Sequence, residues 1–127
     1  MSDCVLDASA ILVLLNREPG SSKVETLLPG AFASSVNLAE VAGKLTESGM
    51  SALEIRSAIG ALGLTIVDFD ANMAYETGGL RSLTRNSGLS LGDRACLATG
   101  KALGKVVVTA DRGWANLSVG IKIRCVR

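Results

Sequence analysis

The chain has 127 residues, with 13 Lys and Arg against 12 Asp and Glu, a formal charge of +1 and no histidine. Without imidazole there is no Ser-His-Asp or Cys-His nucleophile, no histidine acid/base pair for RNA cleavage, and no histidine ligand for zinc or non-haem iron. Any catalysis falls to carboxylates, Lys, Tyr, Cys or a bound cation.

The first segment, Cys4-Val5-Leu6-Asp7, reads as a short apolar strand ending on a carboxylate, and Ala8 to Asn16 follows as a helix. After Pro19-Gly20, Ser21 and Ser22 can cap a helix to Leu28; Pro29-Gly30 stops it before a strand over Ala31 to Ser34. Leu38, Val41, Ala42 and Leu45 lie at helical spacing within Val36 to Thr46. Ser51-x-x-Glu54 is a capping box for a helix to about Leu62, and Leu64 to Val67 is a strand. Asp70 caps one long predicted helix from Ala71 to about Asn86, with Gly78-Gly79 at its middle, where close approach of another backbone would account for the pair. Ser90 to Leu103 is a further helix closed by Gly104; Val106 to Val108 and Ile121 to Val126 are the last strands. Strands alternating with helices predict a single three-layer α/β/α domain over residues 1–127 with a mostly parallel central sheet.

Three cysteines, Cys4, Cys96 and Cys125, are an odd number with no C-x-x-C, which predicts buried, reduced thiols and a cytoplasmic protein. The longest apolar run, Ala10 to Leu15, is too short to span a bilayer, and no cleavable leader is expected. Phe32, Phe69, Tyr75 and Trp114 are the only aromatics, too few for a base-stacking platform; Tyr75 and Trp114 are expected to pack in the core or at its edge. The apolar faces of Ala10 to Leu15 and Ala52 to Leu62 are expected in the core, or else at a dimer or partner contact.

In open α/β sheets ligands bind beyond the carboxyl ends of the strands. Asp7 ends the first strand, and Asp111 follows the strand Val106 to Val108; Glu40 and Asp93 fall in the first turns of helices that start from the same rim. Each also has a local reading. Asp7 can cap the next helix, Glu40 can pair with Lys44, Ser90-x-x-Asp93 can form a capping box, and Asp111 can serve a turn before Gly113. Those local roles do not explain why four acids share one rim. Two like charges about 4 Å apart repel by about 4 kcal/mol at an effective dielectric near 20, so a cluster of four calls for a cation. All-oxygen ligands favour Mg²⁺ or Mn²⁺, and the reaction implied is metal-assisted phosphodiester hydrolysis.

The same residues carry a family resemblance. Leu6-Asp7-Ala8-Ser9-Ala10, Asn37-Leu38-Ala39-Glu40-Val41, Leu91-Gly92-Asp93-Arg94-Ala95-Cys96-Leu97-Ala98 and Val107-Val108-Thr109-Ala110-Asp111-Arg112 resemble, in order, the four acidic motifs of PIN-domain ribonucleases, most closely the VapC-like toxins of type II toxin-antitoxin modules. The resemblance implies a PIN-like fold, Mg²⁺ or Mn²⁺ dependence, endonucleolytic RNA cleavage, a homodimer and a cognate antitoxin. On this chain it assigns metal and catalytic roles to Asp7, Glu40, Asp93 and Asp111, with the Ser9 and Thr109 hydroxyls in support. Gly113-Trp114-Ala115-Asn116 carries no further acid where many relatives have one, which bears on a second metal site. Activated water would attack phosphorus in line and leave 5′-phosphate and 3′-hydroxyl ends.

For phosphate contacts the candidates are Arg94 and Arg112, beside two of the motifs, and Arg81 and Arg85, four residues apart on one helix face. Family analogy points to a structured RNA such as tRNA or rRNA, and so to inhibition of translation. The rival reading is a non-catalytic PIN-like module or a receiver-type signalling domain, although Asp7 lacks the adjacent acid a receiver needs.

Overall fold

The structure, a computed structural model, describes residues 3–127. Among them, five strands form one sheet: β1 (Cys4–Leu6), β2 (Phe32–Ser34), β3 (Thr65–Val67), β4 (Val106–Thr109) and β5 (Ile123–Cys125). Their spatial order is β3-β2-β1-β4-β5 and every neighbouring pair is parallel, so the mostly parallel sheet of the sequence reading is an all-parallel one. Parallel pairing needs crossovers of a dozen or more residues, and each connection here is at least that long.

The helices supply those crossovers: α1 (Ala8–Leu15), α2 (Ser21–Leu27), α3 (Ser35–Glu47), α4 (Ala52–Gly60), α5 (Ala71–Gly79), α6 (Arg81–Thr84) and α7 (Leu91–Leu103). Their starts are where the polar residues fall. Asp7, Ser34 and Asp70 cap α1, α3 and α5 through their side chains, while Ser51 with Glu54 and Ser90 with Asp93 complete the two capping boxes.

Alternation along the strands sorts the core into two layers. Cys4, Leu6 and Val108 face the side covered by α1 to α4, with Ile11, Val24, Val41, Leu45 and Ile59. Val5 and Val107 face the other side, with Met73, Leu80, Leu97 and Trp114. This is the three-layer arrangement, and β1, fully buried between β2 and β4, is its centre.

Several local expectations change. The helix predicted from Ala71 to Asn86 is two helices: α5 ends at Gly79, and Leu80, 2% exposed, turns into the core before α6 begins. Nothing lies within 4 Å of a Cβ built on Gly78 or Gly79, so these glycines mark a break and not a close approach. The last strand is shorter than Ile121 to Val126, and a 3₁₀ turn over Arg112–Asn116 precedes it. Cys4 and Cys96 are buried, but Cys125 is partly exposed on the edge strand. Trp114 is buried as expected, whereas Tyr75 is 83% exposed.

On α1, Ala10, Ile11 and Val13 are core residues. Ile55 and Ile59 on α4 are buried too, but Leu53 is exposed, and an apolar groove of about 530 Å³ bordered by Leu38, Ala42, Ile55 and Leu64 runs between α3 and α4. Receiver domains order their strands 2-1-3-4-5; the order found here is different and removes that alternative.

Candidate active site at the carboxyl ends of β1 and β4

The strand order reverses at β1, whose outgoing crossover goes to β2 on one side while β4 lies on the other. Such a switch point opens a crevice at the carboxyl ends of the two strands. Asp7 leaves β1 into it, with its backbone N–H still tied to the Val108 carbonyl at 3.0 Å. Thr109, Ala110 and Asp111 leave β4 beside it.

Asp7 is 4% exposed and accepts three hydrogen bonds. Oδ1 takes the Ala10 N–H at 2.8 Å, which caps α1, and the Ser9 hydroxyl at 2.7 Å; Oδ2 takes the Thr109 hydroxyl at 2.6 Å. A hydroxyl has one proton to give. Both protons therefore go to Asp7, and the hydroxyl oxygens accept in turn, Ser9 from the Ala110 N–H at 2.9 Å and Thr109 from the Asp111 N–H at 3.0 Å. Four lone-pair positions on a carboxylate less three donors leave one, on Oδ2, for a further partner. Burial pushes the Asp7 carboxyl up to about 6 against the pull of these hydrogen bonds, and the charge of Asp93 adds to the rise.

Glu40 reaches the crevice from α3. Its Oε1 accepts from Asn37 Nδ2 at 2.7 Å, and the same amide donates to the Gly92 carbonyl at 3.1 Å, linking α3 to the first turn of α7. Both partners are pure acceptors, which fixes the amide orientation and leaves the buried Asn37 Oδ1 without a partner among the described residues. A Cβ on Gly92 would stand 2.3 to 2.6 Å from the three carboxyl atoms of Glu40, so only glycine lets this carboxylate lie against α7. A helix N-terminus favours a negative group there. Asn37 and Gly92 are positioning residues that the motif pattern does not single out. The signal was their place beside Glu40 and Asp93.

Asp93 accepts the Ser90 N–H at 2.9 Å through Oδ2, and Ser90 accepts the Asp93 N–H at 3.1 Å. The local capping role and a place on the rim coexist. Beneath the crevice the Cys96 thiol, wholly buried, is pushed well above its usual range, first by burial and then by the charges of Asp7, Asp93 and Glu40. Glu40 lies against Gly92, one residue before Asp93, while Asp7 is tied across to β4 through Thr109. Asp111 stands to the side: it is exposed, its Oδ1 accepts the Gly113 N–H at 2.8 Å, and it joins the others through the Thr109 hydroxyl that its own N–H reaches.

Of the four arginines, Arg94 donates to the Leu89 carbonyl at 2.8 Å and braces the loop before α7. Arg112 opens the 3₁₀ turn and is exposed. Arg81 on α6 and Arg85 just after it are exposed and take no part in the site's hydrogen bonds.

Among the described residues no three His, Cys, Asp or Glu side chains are close enough to hold a single ion. Like charges repel, and Asp93 and Asp111 each give one oxygen to a backbone N–H. The donor chemistry nevertheless fits a hard divalent cation. It is all oxygen, Asp7 keeps an open lone pair, Glu40 rests in a recess that a Cβ would fill, and an unpartnered buried oxygen sits on Asn37.

The PIN domain family profile matches residues 4–120, and the chain belongs to that family. Solved structures share the fold. DNA-bound VapBC from Salmonella typhimurium matches with a TM-score of 0.77 at 22% identity over 100% of both chains. A toxin-antitoxin complex from Klebsiella pneumoniae gives 0.75 at 16% identity over 98% of each. VapBC2 from Rickettsia felis, bound to a DNA fragment from its promoter, gives 0.73 at 21%, covering 96% of this chain and 97% of that one. Among curated proteins, none matches the chain by sequence.

Proposed function

We propose that this PIN-domain protein is a divalent-cation-dependent endoribonuclease, the toxin of a toxin-antitoxin module, which inhibits translation by cutting a structured RNA such as tRNA or rRNA. The observation that carries the reading is the hydrogen-bonded placement of the acids at the switch point of the sheet: the Thr109 hydroxyl ties Asp7 to the backbone of Asp111, and Asn37 holds Glu40 against Gly92, next to Asp93. Asp7, Asp93 and Asp111, with Glu40 directly or through water, would hold Mg²⁺ or Mn²⁺, the cation drawing together side chains that repel one another in its absence. When bound, the cation supplies positive charge against the phosphodiester and activates water for attack.

The chain's own residues prepare that site. Ser9 and Thr109 hold the Asp7 carboxylate in one orientation, and Asn37 holds Glu40 against α7. Arg112 and Arg94 are the phosphate contacts nearest the acids in sequence; Arg81 and Arg85 would act further along the RNA. If the four acids form one site, the remaining eight stand against 13 cations, a net +5 over the rest of the surface, suited to holding a polyanion.

A cognate antitoxin is the partner this reading implies. The solved relatives include toxin-antitoxin complexes, and the apolar groove between α3 and α4 is the surface we assign to it. A homodimer is proposed on the family resemblance alone.

The test is cleavage of purified tRNA and rRNA. Cutting is expected with Mg²⁺ or Mn²⁺, with 5′-phosphate and 3′-hydroxyl ends, and is lost in EDTA and in Asp7→Asn. Cleavage undiminished by EDTA or by that substitution would overturn the mechanism. Growth arrest on expression, relieved by a co-expressed neighbouring reading frame, tests the toxin role.

A further inference from the structure

Next to the acids, and sharing Ser9, Asp111 and Arg112 with them, lies a second feature whose further wall, Glu18 and Arg127, the proposed chemistry does not use. A cavity of about 600 Å³ runs from Ser9 and Asp111 along α1 to Arg127, a volume within the usual range of about 300 to 1,000 Å³ for ligand sites. Its lining includes two arginines, Arg112 and Arg127, two acids, Glu18 and Asp111, and the apolar Leu12 and Val13. Arg127 is ion-paired with Glu18, which also lines the cavity, and both side chains remain over one third exposed.

The position of Arg127 is set by the fold. Val126 is 1% exposed, and its N–H donates to the Thr109 carbonyl at 2.9 Å. Its own carbonyl packs against Gly20, where a Cβ would come within 2.5 Å and φ is +100°. Arg127 is thereby delivered to the cavity. An exposed ion pair contributes little to stability. A guanidinium held by one carboxylate keeps further donors for a second anion, in the fork geometry that suits phosphate.

We propose that this cavity is a subsite for a backbone phosphate of the RNA beside the scissile bond, with Arg112 and Arg127 as its cations and Glu18 as the internal anion that the phosphate displaces. The inference rests on the nuclease reading above. A strand lying over Asp7 and Asp93 must leave the crevice past one of its edges, and Asp111 forms the edge that opens onto this cavity. Glu18 would repel an acidic peptide as much as a phosphate. Contiguity with the acids is what favours the nucleic acid.

The experiment measures binding of fluorescein-labelled tRNA by anisotropy in an Asp7→Asn background, with Arg127→Glu and Glu18→Gln compared at several salt concentrations and thermal melts run on each. Both substitutions break the same ion pair. If the pair is structural only, both variants lose affinity or neither does, and the proposal is overturned. If the cavity takes phosphate, Arg127→Glu weakens binding about tenfold or more and lowers the salt slope by about one, while Glu18→Gln tightens binding several-fold. Unchanged RNA affinity with weakened antitoxin binding would reassign the cavity to the protein partner and overturn the subsite. Failure of the Asp7-intact protein to cleave RNA would remove the nuclease reading and the subsite with it; cleavage without any effect of these variants removes the subsite alone.

Discussion

Thr109 donates its hydroxyl proton to Oδ2 of Asp7 across 2.6 Å, joining the ends of β4 and β1 although the residues are 102 positions apart. The bond is buried and charge-assisted while Asp7 is ionised. The same oxygen of Thr109 accepts the Asp111 N–H at 3.0 Å, so one hydroxyl fixes the directions in which two acids leave the sheet.

Thr109→Val keeps the shape and removes both bonds. Loss of about 1–3 kcal/mol of stability is expected at pH 8. Near pH 5, where Asp7 is largely protonated and the lost bond is weaker, the loss is smaller. Urea titrations of the two proteins at the two pH values measure this, and an equal loss at both would exclude the charge-assisted bond.

Asp7 itself makes stability depend on pH. Its carboxyl titrates near 6 in the folded chain against 3.8 unfolded, so the native state binds the proton more tightly. The contribution is full below pH 3.8 and is lost as pH rises through about 6. Asp7→Asn removes the dependence: the amide can accept from Ala10 and Ser9 and donate to Thr109. The variant should be more stable than the parent by about 1–3 kcal/mol at pH 7.5 and nearly equal to it near pH 4. Mn²⁺ should raise the melting midpoint of the parent and leave that of Asp7→Asn in place.

Gly92→Ala separates activity from stability. The added methyl meets the end of Glu40's side chain, which can swing aside, while α7 gains up to about 1 kcal/mol in helix propensity. The urea midpoint should hold or rise. RNA cleavage should fall at least tenfold, because Glu40 loses its place against α7 and its bond to Asn37. Full activity in this variant would show that Glu40 need not sit where it does.

The thiols are unequal. Cys4 and Cys96 are buried, and burial raises both, whereas Cys125 is partly exposed. A thiol reagent should titrate one cysteine in the native protein at pH 8 and three in denaturant. Rapid reaction of two or three in the native state would contradict the packing of β1 and α7.

Much of the fold was legible because its signals are local. Ser51 and Ser90 each stand three residues before an acid, Asp70 precedes a helix-forming segment, and both boxes and the cap form as read. The break at Leu80 was hidden in a sequence that is helical on either side. There Leu80 is buried in the same layer as Met73 of α5, a choice made by packing.

By itself, the sequence determined the alternation of strands and helices, the rim on which four acids fall, and the absence of imidazole chemistry. These follow from local spacing and residue type. Only the tertiary structure decided that all strands run parallel, that one Thr109 hydroxyl joins Asp7 to the backbone of Asp111, and that a glycine at 92 is what lets Glu40 lie against α7. Those outcomes depend on distances between residues far apart in the chain, which are set only when both layers close on β1.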